Sequence, residues 1–364
     1  MSAITDAFKP EGIRGETRWR GARVFVTGVG GAGCNTCNRL TRVGVEGART
    51  ISINTDAQQL DLVASDLKIQ IGPKTTRGLG AGGNPRLGRE AIEESMDSVI
   101  NAMKGVDIAY VITGLGGGTG TGAAPIISKI CQDVGALVIG IVTLPFRHEG
   151  GVRMSVAAQG LGDMRRYCDT IVVIQNDRLM ELVPQLPVDD AFEIADRVMA
   201  DMIKGVVEAI SAPSLINLDF NDFKAVMENG GVAVIGVGES EAPERAEEAV
   251  REAMSCPLLS PIDYTGATGA LIHVAGDEGM TLQEAVRVPE IIHEYLNEDA
   301  KVFWGPRIDP KLNGALKVTL VLTGAKSSNI LPGYNRSTIH ITELEPYAGP
   351  ERPLGLDLGL VQLL

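Results

Sequence analysis

The chain has 364 residues, of which 44% are hydrophobic, and its formal net charge is −13. That length suits two domains, or one large domain, with a substantial core. The acidic charge argues against a nucleic-acid partner, because binding to a phosphate backbone depends on clustered Lys and Arg. A single bound nucleotide is compatible with it, since backbone N–H groups and a metal ion can hold phosphates without adding to the net charge.

The cysteines and the amino-terminal residues predict a cytoplasmic protein. Five cysteines are scattered along the chain, unlike the framework of a secreted disulfide-rich protein. We interpret Cys34 and Cys37 as buried, inert thiols, with redox chemistry or metal binding as the alternative. Residues 1–21 are expected to form a flexible leader, because they are largely polar, carry both charge signs and contain Pro10 and three glycines. They also lack the apolar core of a signal peptide. No apolar run reaches the length of about 18 residues that membrane insertion needs.

The first half of the chain alternates between predicted strands and helices. Strands are expected at 23–27, 49–53, 107–113, 136–144 and 170–174, and the helices between them include 35–43 and 86–103. This alternation predicts an α/β domain with a doubly wound, mostly parallel sheet.

Three glycine-rich loops, at 28–33, 78–85 and 114–122, follow strands of this sheet. The carboxyl ends of the strands form the edge where ligands bind in such folds. The third loop has six glycines in nine positions and leads into a helix, so its N–H groups, with Thr119 and Thr121, form a site for a phosphate chain. It is not a P-loop, because the pattern Gly-x-x-x-x-Gly-Lys-Ser/Thr is absent.

An alternative interpretation of the first half is a nicotinamide-dependent oxidoreductase. Residues 28–33 fit the pattern Gly-x-Gly-x-x-Gly, and Asp56 follows the second strand, where such proteins keep a ribose-binding carboxylate. A dinucleotide needs only one glycine turn for its pyrophosphate, however. Three converging loops therefore favour a nucleoside triphosphate with its metal ion.

The second half of the chain predicts a long central helix and a smaller domain. Apolar residues recur at helical spacing over 189–210 on a wide face, as expected for a helix buried between two domains, and a helix of that length would span roughly 33 Å. The strands and helices that follow predict an α+β domain with a mixed sheet. We divide the chain into leader, nucleotide domain, central helix, second domain and tail at 1–21, 22–182, 183–210, 211–345 and 346–364.

Five segments together resemble, in order and spacing, the loops of FtsZ, the prokaryotic relative of tubulin. They are 28–33, 54–58, 76–85, 114–122 and 217–222. The resemblance covers about residues 22–345 and does not separate bacterial from archaeal members. It implies a GTPase that polymerises head to tail into filaments and forms the division ring at mid-cell. A member of the same superfamily that binds GTP and copolymerises without hydrolysis is the alternative.

The resemblance also implies which residues contact GTP or GDP. They are Gly30, Gly31, Ala32, Asn35, Asn54, Asp56, Ala81, Gly82, Gly83, Asn84, Gly114, Gly116, Gly117, Gly118, Thr119, Gly120, Glu149, Arg153, Asn176, Phe192 and Asp196. Glu149 and Arg153 would face the ribose and phosphates. The side chains that would surround the guanine are those of Asn35, Asn176, Phe192 and Asp196, and a carboxylate among them can accept both guanine N1–H and the exocyclic amine. Mg²⁺ would be held mainly by phosphates and water.

Asn217, Asp219 and Asp222 resemble the catalytic loop of this family. The glycine loops contain no evident base, and the acidic loop follows a helix long enough to keep it away from its own nucleotide. In a head-to-tail stack it would meet the nucleotide of the next subunit, where the two aspartates would orient the attacking water. Such a heterologous contact does not close, so it propagates as a filament.

Three positions depart from the usual pattern of the family: Cys34, Gln175 and Asn221. None of them removes a presumed catalytic group, so we expect effects on rate and affinity rather than on function. The leucine-rich tail at 354–364 is interpreted as a frayed end or as a segment that binds a membrane-anchoring division protein.

Overall fold

One ten-stranded sheet organises the part of the chain that the computed structural model describes, which is residues 22–45, 47–177, 197, 200–207, 220–228, 230–255 and 266–324. The strands are β1 (Val24–Val29), β2 (Ala48–Asn54), β3 (Leu67–Gln70), β4 (Ile108–Gly114), β5 (Leu137–Leu144), β6 (Thr170–Gln175), β7 (Gly231–Ser240), β8 (Gly269–Gly276), β9 (Lys301–Ile308) and β10 (Leu316–Thr323). Their order is β3-β2-β1-β4-β5-β6-β7-β10-β8-β9. Only β10 is antiparallel to its neighbours, β7 and β8. The predicted fold class, a mostly parallel α/β sheet followed by a mixed one, is confirmed.

Helices cover both faces of the sheet. They are α1 (Gly30–Val43), α2 (Ala57–Leu62), α3 (Pro85–Glu94), α4 (Met96–Ala102), α5 (Thr119–Asp133), α6 (Gly151–Met164), α7 (Phe220–Met227), α8 (Arg245–Met254) and α9 (Leu282–His293), with 3₁₀ turns at Arg147–Glu149 and Pro310–Leu312. Residues 200–207 are also helical and lie within the predicted central helix. Among the described residues, no helix has the length and apolar character needed to cross a membrane.

One face of the sheet packs against α1, the helical segment 200–207 and α7. Alternate residues of a strand point to the same face, and on this face Tyr110 and Ile139 are buried with Ile203 and Phe223. Full burial of such a side chain stabilises the fold by about 1.5–3 kcal/mol relative to its exposure. The described part of the central helix therefore belongs to the core.

The opposite face is covered by α5, which packs against β4 and β5, while α3 and α6 pack against α5. Glycine allows α3 and α5 to touch. A methyl group at Gly122 would overlap the carbonyl oxygen of Pro85, and one at Gly88 would overlap that of Gly118. As a result α3 lies directly against the turn from which α5 begins.

The second half of the described chain has its own core beneath α8 and α9. Its buried side chains include Val250, Ile272, Val288 and Leu320. The strands of the two halves join through β6 and β7, which pair in parallel over three residues. The predicted domain boundaries at 182, 210 and 345 fall outside the described residues and stay predictions.

A half-buried ion cluster fastens α8 to α9. Arg245, whose side chain is only 12% exposed, places Nε 2.7 Å from Glu284 Oε1 and Nη1 3.0 Å from Asp277 Oδ1. Its Nη1 also donates to the Gly314 carbonyl over 2.6 Å. Hydrogen bonding to Arg245, followed by the bonds from Thr281, lowers the pKa of Glu284 to about 2.

The structure differs from the predicted elements in several places. Two short elements, α2 and β3, were not predicted, because four to six residues carry too little periodicity to indicate either. The helix predicted at 86–103 is divided at Ser95, whose hydroxyl accepts the Gly72 N–H over 2.9 Å. The first helix begins at Gly30 rather than at Asn35, because the glycines fit it closely onto the sheet: a methyl group at Gly33 would overlap the carbonyl oxygen of Ile112.

Candidate nucleotide site

The carboxyl ends of six parallel strands meet at one edge of the sheet. Strands β1 to β6 all run in the same direction. The loops that follow them therefore lie together at the edge where α/β proteins bind ligands. All three glycine-rich loops of the sequence belong to this edge.

Two helices begin at this edge without a side-chain cap. The residues before them, Val29 for α1 and Gly118 for α5, make no capping hydrogen bond, and neither first turn contains an acidic residue. A methyl group added to Gly30 would lie 3.0 Å from the Gly120 nitrogen, so the two N-termini adjoin. Backbone N–H groups at adjoining helix N-termini form a favourable environment for phosphate.

The loop before α5 contacts protein on one side and open space on the other. At Gly117 an added methyl group would meet no protein atom within 4 Å. At Gly118 it would lie 2.8 Å from the Asn84 nitrogen. Gly116 has a φ of 91°, and its N–H donates to Thr121 Oγ1 over 2.9 Å. The loop is thus held by its protein contacts, and the side at Gly117 is open to a ligand.

The loop at 78–85 borders the same space. Gly82 and Gly83 are exposed, with φ of 54° and 76°, and an added Cβ at either would meet no protein atom within 4 Å. Only glycine adopts such angles at little cost. Asn84 ends the loop and caps α3 by accepting the Arg86 N–H at Oδ1 over 3.0 Å.

Residues 54–56 connect two of the loops. The hydroxyl oxygens of Thr55 and Thr119 are 2.6 Å apart in a buried hydrogen bond, which joins the end of β2 to the start of α5. Asp56 pairs with Leu79 in an isolated β-bridge, which joins it to the loop at 78–85.

The side chains of Asn54 and Asp56 are both engaged with Gln59. The Asn54 amide donates to Gln59 Oε1 over 2.8 Å, and Asp56 Oδ1 caps α2 by accepting the Gln59 N–H over 3.0 Å. Both residues therefore shape the loops in this structure. Their contact with a nucleotide stays a prediction.

Glu149 and Arg153 form an ion pair beside the loop that precedes α5. Arg153 Nη1 lies 2.6 Å from Glu149 Oε2, and Glu149 Oε1 accepts the Phe146 N–H over 2.8 Å. A methyl group at Gly116 would lie 2.9 Å from Arg153 Cγ. The two residues predicted to face the ribose and phosphates are thus both near the predicted phosphate loop.

The predicted base-binding residues are described only in part. Asn176 follows β6 and donates its N–H to the Leu144 carbonyl over 3.3 Å, which holds it at the ligand-binding edge. Asn35 is an exposed residue of α1. The predicted site residues outside the described part of the chain are Phe192, Asp196, Asn217 and Asp219.

Asp222, the described member of the predicted catalytic loop, lies in the first turn of α7. At the other end of α7, the Met227 carbonyl accepts from Thr170 Oγ1 over 2.6 Å. Thr170 begins β6, so this end of α7 lies at the amino edge of the sheet. A strand of that length spans roughly 20 Å, which separates this edge from the glycine loops.

Sequence reasoning missed three side chains that organise the site: Thr55, Gln59 and Asp177. Each is a polar residue just after a strand or within the next turn, which is a weak signal by itself. Asp177 accepts the Arg147 N–H at Oδ1 over 3.1 Å, and only the fold brings these two residues together.

Two cysteines of α1, Cys34 and Cys37, have unreactive thiols. Both Cys34 and Cys37 are fully buried, and Cys37 Sγ donates to the Val26 carbonyl over 3.5 Å. Burial raises the pKa of Cys34 to about 12 and that of Cys37 further. Neither thiol forms the reactive thiolate at neutral pH, which agrees with their interpretation as inert.

Known proteins resemble this chain over most of its length. Residues 23–184 match the Tubulin/FtsZ family, GTPase domain, and residues 231–326 match the FtsZ family, C-terminal domain. Cell division protein FtsZ 2 of Methanocaldococcus jannaschii is 50% identical over 313 residues, which cover 85% of this chain and 82% of that protein. Cell division protein FtsZ 1 of Pyrococcus furiosus is 45% identical over 342 residues, which cover 94% and 89%.

A solved structure, the empty FtsZ dimer of M. jannaschii, has a TM-score of 0.80 and 48% identity, and the match covers 86% of this chain and 95% of that one. These similarities run through both halves of the chain. They exclude the alternative interpretation as a nicotinamide-dependent oxidoreductase, which rested on the glycine pattern at 28–33 and on Asp56. The chain belongs to the FtsZ family, the cell-division GTPases of the tubulin superfamily.

Proposed function

We propose that the edge built from the glycine loops binds GTP and GDP with their phosphates against the N-termini of α1 and α5. The observation that carries this is the pair of adjoining, uncapped N-termini. The first N–H groups of each helix have no partner within the helix, and added methyl groups at glycines 82, 83 and 117 would meet no protein atom within 4 Å. The dipoles of both helices favour negative charge there.

The guanine would lie farther along the same edge, toward β6. Asn176 stands at the end of that strand, and Asn35, Phe192 and Asp196 complete the expected set. Asp196 would accept from guanine N1–H and the exocyclic amine, which adenine cannot offer at those positions. The Glu149–Arg153 pair would contact the ribose and phosphates.

Mg²⁺ would accompany the phosphates and offset their charge. The described residues contain no group of three His, Cys, Asp or Glu side chains arranged to hold a metal ion. We expect the ion to be bound mainly by phosphate oxygens and water, because Mg²⁺ keeps several waters and needs few protein ligands. The hydroxyl of Thr119, the first residue of α5, would lie near the phosphates.

Hydrolysis requires a second subunit in this proposal. Asp219 and Asp222, with Asn217, would orient the water that attacks the γ-phosphate bound by the adjacent molecule. The position of α7 supports this, because its carboxyl end lies at the edge opposite to the glycine loops, and Asp222 is only about 7.5 Å of helix from that end. A stack that places this edge on the nucleotide edge of the next copy completes each site and extends as a filament.

Such filaments would form the division ring at mid-cell in the cytoplasm. The residues at 346–364 would bind a division protein that anchors the ring to the membrane. Neither a nucleic-acid partner nor direct membrane insertion is part of the proposal.

The test measures phosphate release and light scattering together over a range of protein concentrations with GTP. We expect polymer to form above a threshold concentration and turnover per molecule to rise with it. Pelleting with GDP in place of GTP is the control for nucleotide dependence. Polymer without phosphate release would instead identify a non-hydrolysing member, and turnover that is independent of concentration would contradict a shared site.

A further inference from the structure

The short loop between β5 and α6 has two of its backbone N–H groups bound by carboxylates. The Phe146 N–H donates to Oε1 of Glu149, three residues further along the chain, over 2.8 Å. The next N–H, that of Arg147, donates instead to Asp177, which comes from the end of β6. The loop is therefore fastened once to itself and once to the neighbouring strand.

Both carboxylate oxygens of Asp177 contact Arg147. Its Oδ1 accepts the Arg147 N–H over 3.1 Å, and its Oδ2 lies 3.3 Å from Arg147 Nε. The Asp177 side chain is 26% exposed, whereas that of Arg147 is 81% exposed. The bond to the backbone N–H is therefore the stronger part, because solvent screens the contact with the guanidinium.

A continuous series of contacts runs from Asp177 to the phosphate loop. Arg147 begins the 3₁₀ turn that ends at Glu149. Glu149 pairs with Arg153 over 2.6 Å, and Arg153 packs against Gly116. At the other end of the series, Asp177 directly follows Asn176, which is expected to face the base. One carboxylate thus joins the base side of the site to its ribose and phosphate side.

We propose that Asp177 is a positioning residue for the nucleotide. Its bonds to Arg147 hold the 3₁₀ turn that carries Glu149 in a fixed position relative to the end of β6. It acts through Glu149 and needs no contact with the ligand itself. This inference rests on the proposed function, because it assumes that the guanine nucleotide occupies this edge.

The contacts predict a graded series of variants. Asp177→Ala removes both bonds to Arg147 and is expected to raise the Kd for GDP about tenfold, as for loss of a hydrogen bond to a charged group. Asp177→Asn keeps an acceptor for the Arg147 N–H and is expected to stay within about threefold of the unaltered chain. Arg147→Ala removes only the exposed ion pair and should change the Kd even less.

The chain contains a matched control at the opposite edge of the sheet. There Asp107 accepts the Arg23 N–H at Oδ2 over 2.8 Å and also pairs with the guanidinium of Arg23 over 3.1 Å. The chemistry is that of the Asp177–Arg147 pair, but the position is at the amino ends of β1 and β4. Asp107→Ala therefore removes a similar backbone hydrogen bond and ion pair without altering the nucleotide site.

The experiment titrates the full chain and its variants with GDP by calorimetry and records the Tm of each without nucleotide. We expect Asp177→Ala to weaken binding while Asp107→Ala does not, even where their Tm values fall alike. In a Glu149→Ala background, Asp177→Ala should add less than about twofold, because both changes act through one turn.

Four results decide between these possibilities. Equal Kd values for Asp177→Ala and Asp107→Ala overturn the inference alone, and so does a tenfold effect of Asp177→Ala that persists without Glu149. Lack of GDP binding by the unaltered chain overturns the proposed function and the inference together. A normal Kd for Asp177→Asn together with a raised Kd for Asp177→Ala supports the assignment. A general loss of folding would not depend on whether residue 177 keeps an acceptor for the Arg147 N–H.

Discussion

Replacement of two adjacent glycines should separate the packing of the phosphate loop from its ligand binding. At Gly118 an alanine methyl would lie 2.8 Å from the Asn84 nitrogen, 2.8 Å from Ala81 Cβ and 3.0 Å from the Ala81 carbonyl oxygen. Ordinary contacts are about 3.5–4.0 Å, so the two loops must separate by about 0.7 Å. Overpacking of this size costs about 1–3 kcal/mol.

At Gly117 the same methyl group meets no protein atom within 4 Å. The unfolding free energy should then change by less than about 0.5 kcal/mol. The methyl group would, however, enter the space in which we place the phosphates. We therefore expect Gly117→Ala to raise the Kd for GDP at least about tenfold, which corresponds to about 1.4 kcal/mol of binding free energy.

Thermal unfolding without nucleotide and calorimetric titration with GDP distinguish the two effects. We expect Gly118→Ala to lower the Tm by about 2–6 °C, and Gly117→Ala to keep the Tm and lose affinity. If Gly117→Ala binds GDP as tightly as the unaltered chain, the phosphates do not lie there. If Gly118→Ala unfolds at the original temperature, the contact between the loops is not tight.

Three further predictions concern catalysis, pH and thiol chemistry. Asp219→Ala should bind GTP normally and lose turnover in a phosphate-release assay, and unchanged turnover would show that the residue has another role. The pKa of Glu284 is lowered to about 2 by its partner Arg245, so the stability from this pair is fully present above the unfolded pKa of about 4.3 and is lost as the pH falls through 2. Glu284→Gln should thus destabilise the chain by about 1–2 kcal/mol at pH 7, allowing for partial exposure, and by much less near pH 2, as measured by urea unfolding; an equal loss at both pH values would contradict the assignment. Cys34 and Cys37, whose pKa values are raised by burial, should resist iodoacetamide at pH 8 until the chain unfolds, and mass spectrometry of the labelled peptide would reveal early reaction.

Local pattern alone predicts much of the fold and of the phosphate side of the site. Buried strands such as β4 and β5 are continuous apolar runs, and the glycines beside them mark where backbone must approach a ligand or another helix. The length of a helix is less well determined by such patterns. Gly30 to Gly33 belong to α1 although their composition is typical of a loop, because close packing on β4 requires them.

Side-chain partners that are distant in sequence could not be predicted. Asp177 and Arg147 are 30 residues apart, and nothing local distinguishes their pair from two solvated charges. The division of the helix predicted at 86–103 also involves a distant partner, because the Ser95 hydroxyl accepts the N–H of Gly72.

The sequence by itself determines that this chain forms an α/β sheet with three glycine-rich loops at one edge, because periodicity and glycine placement act over a few residues. Only the tertiary structure decides that the N-termini of α1 and α5 adjoin, that Thr55 meets Thr119, and that α7 ends at the opposite edge. These arrangements depend on how strands pair and helices pack across the whole sheet. Contacts of that kind join residues that no local pattern relates.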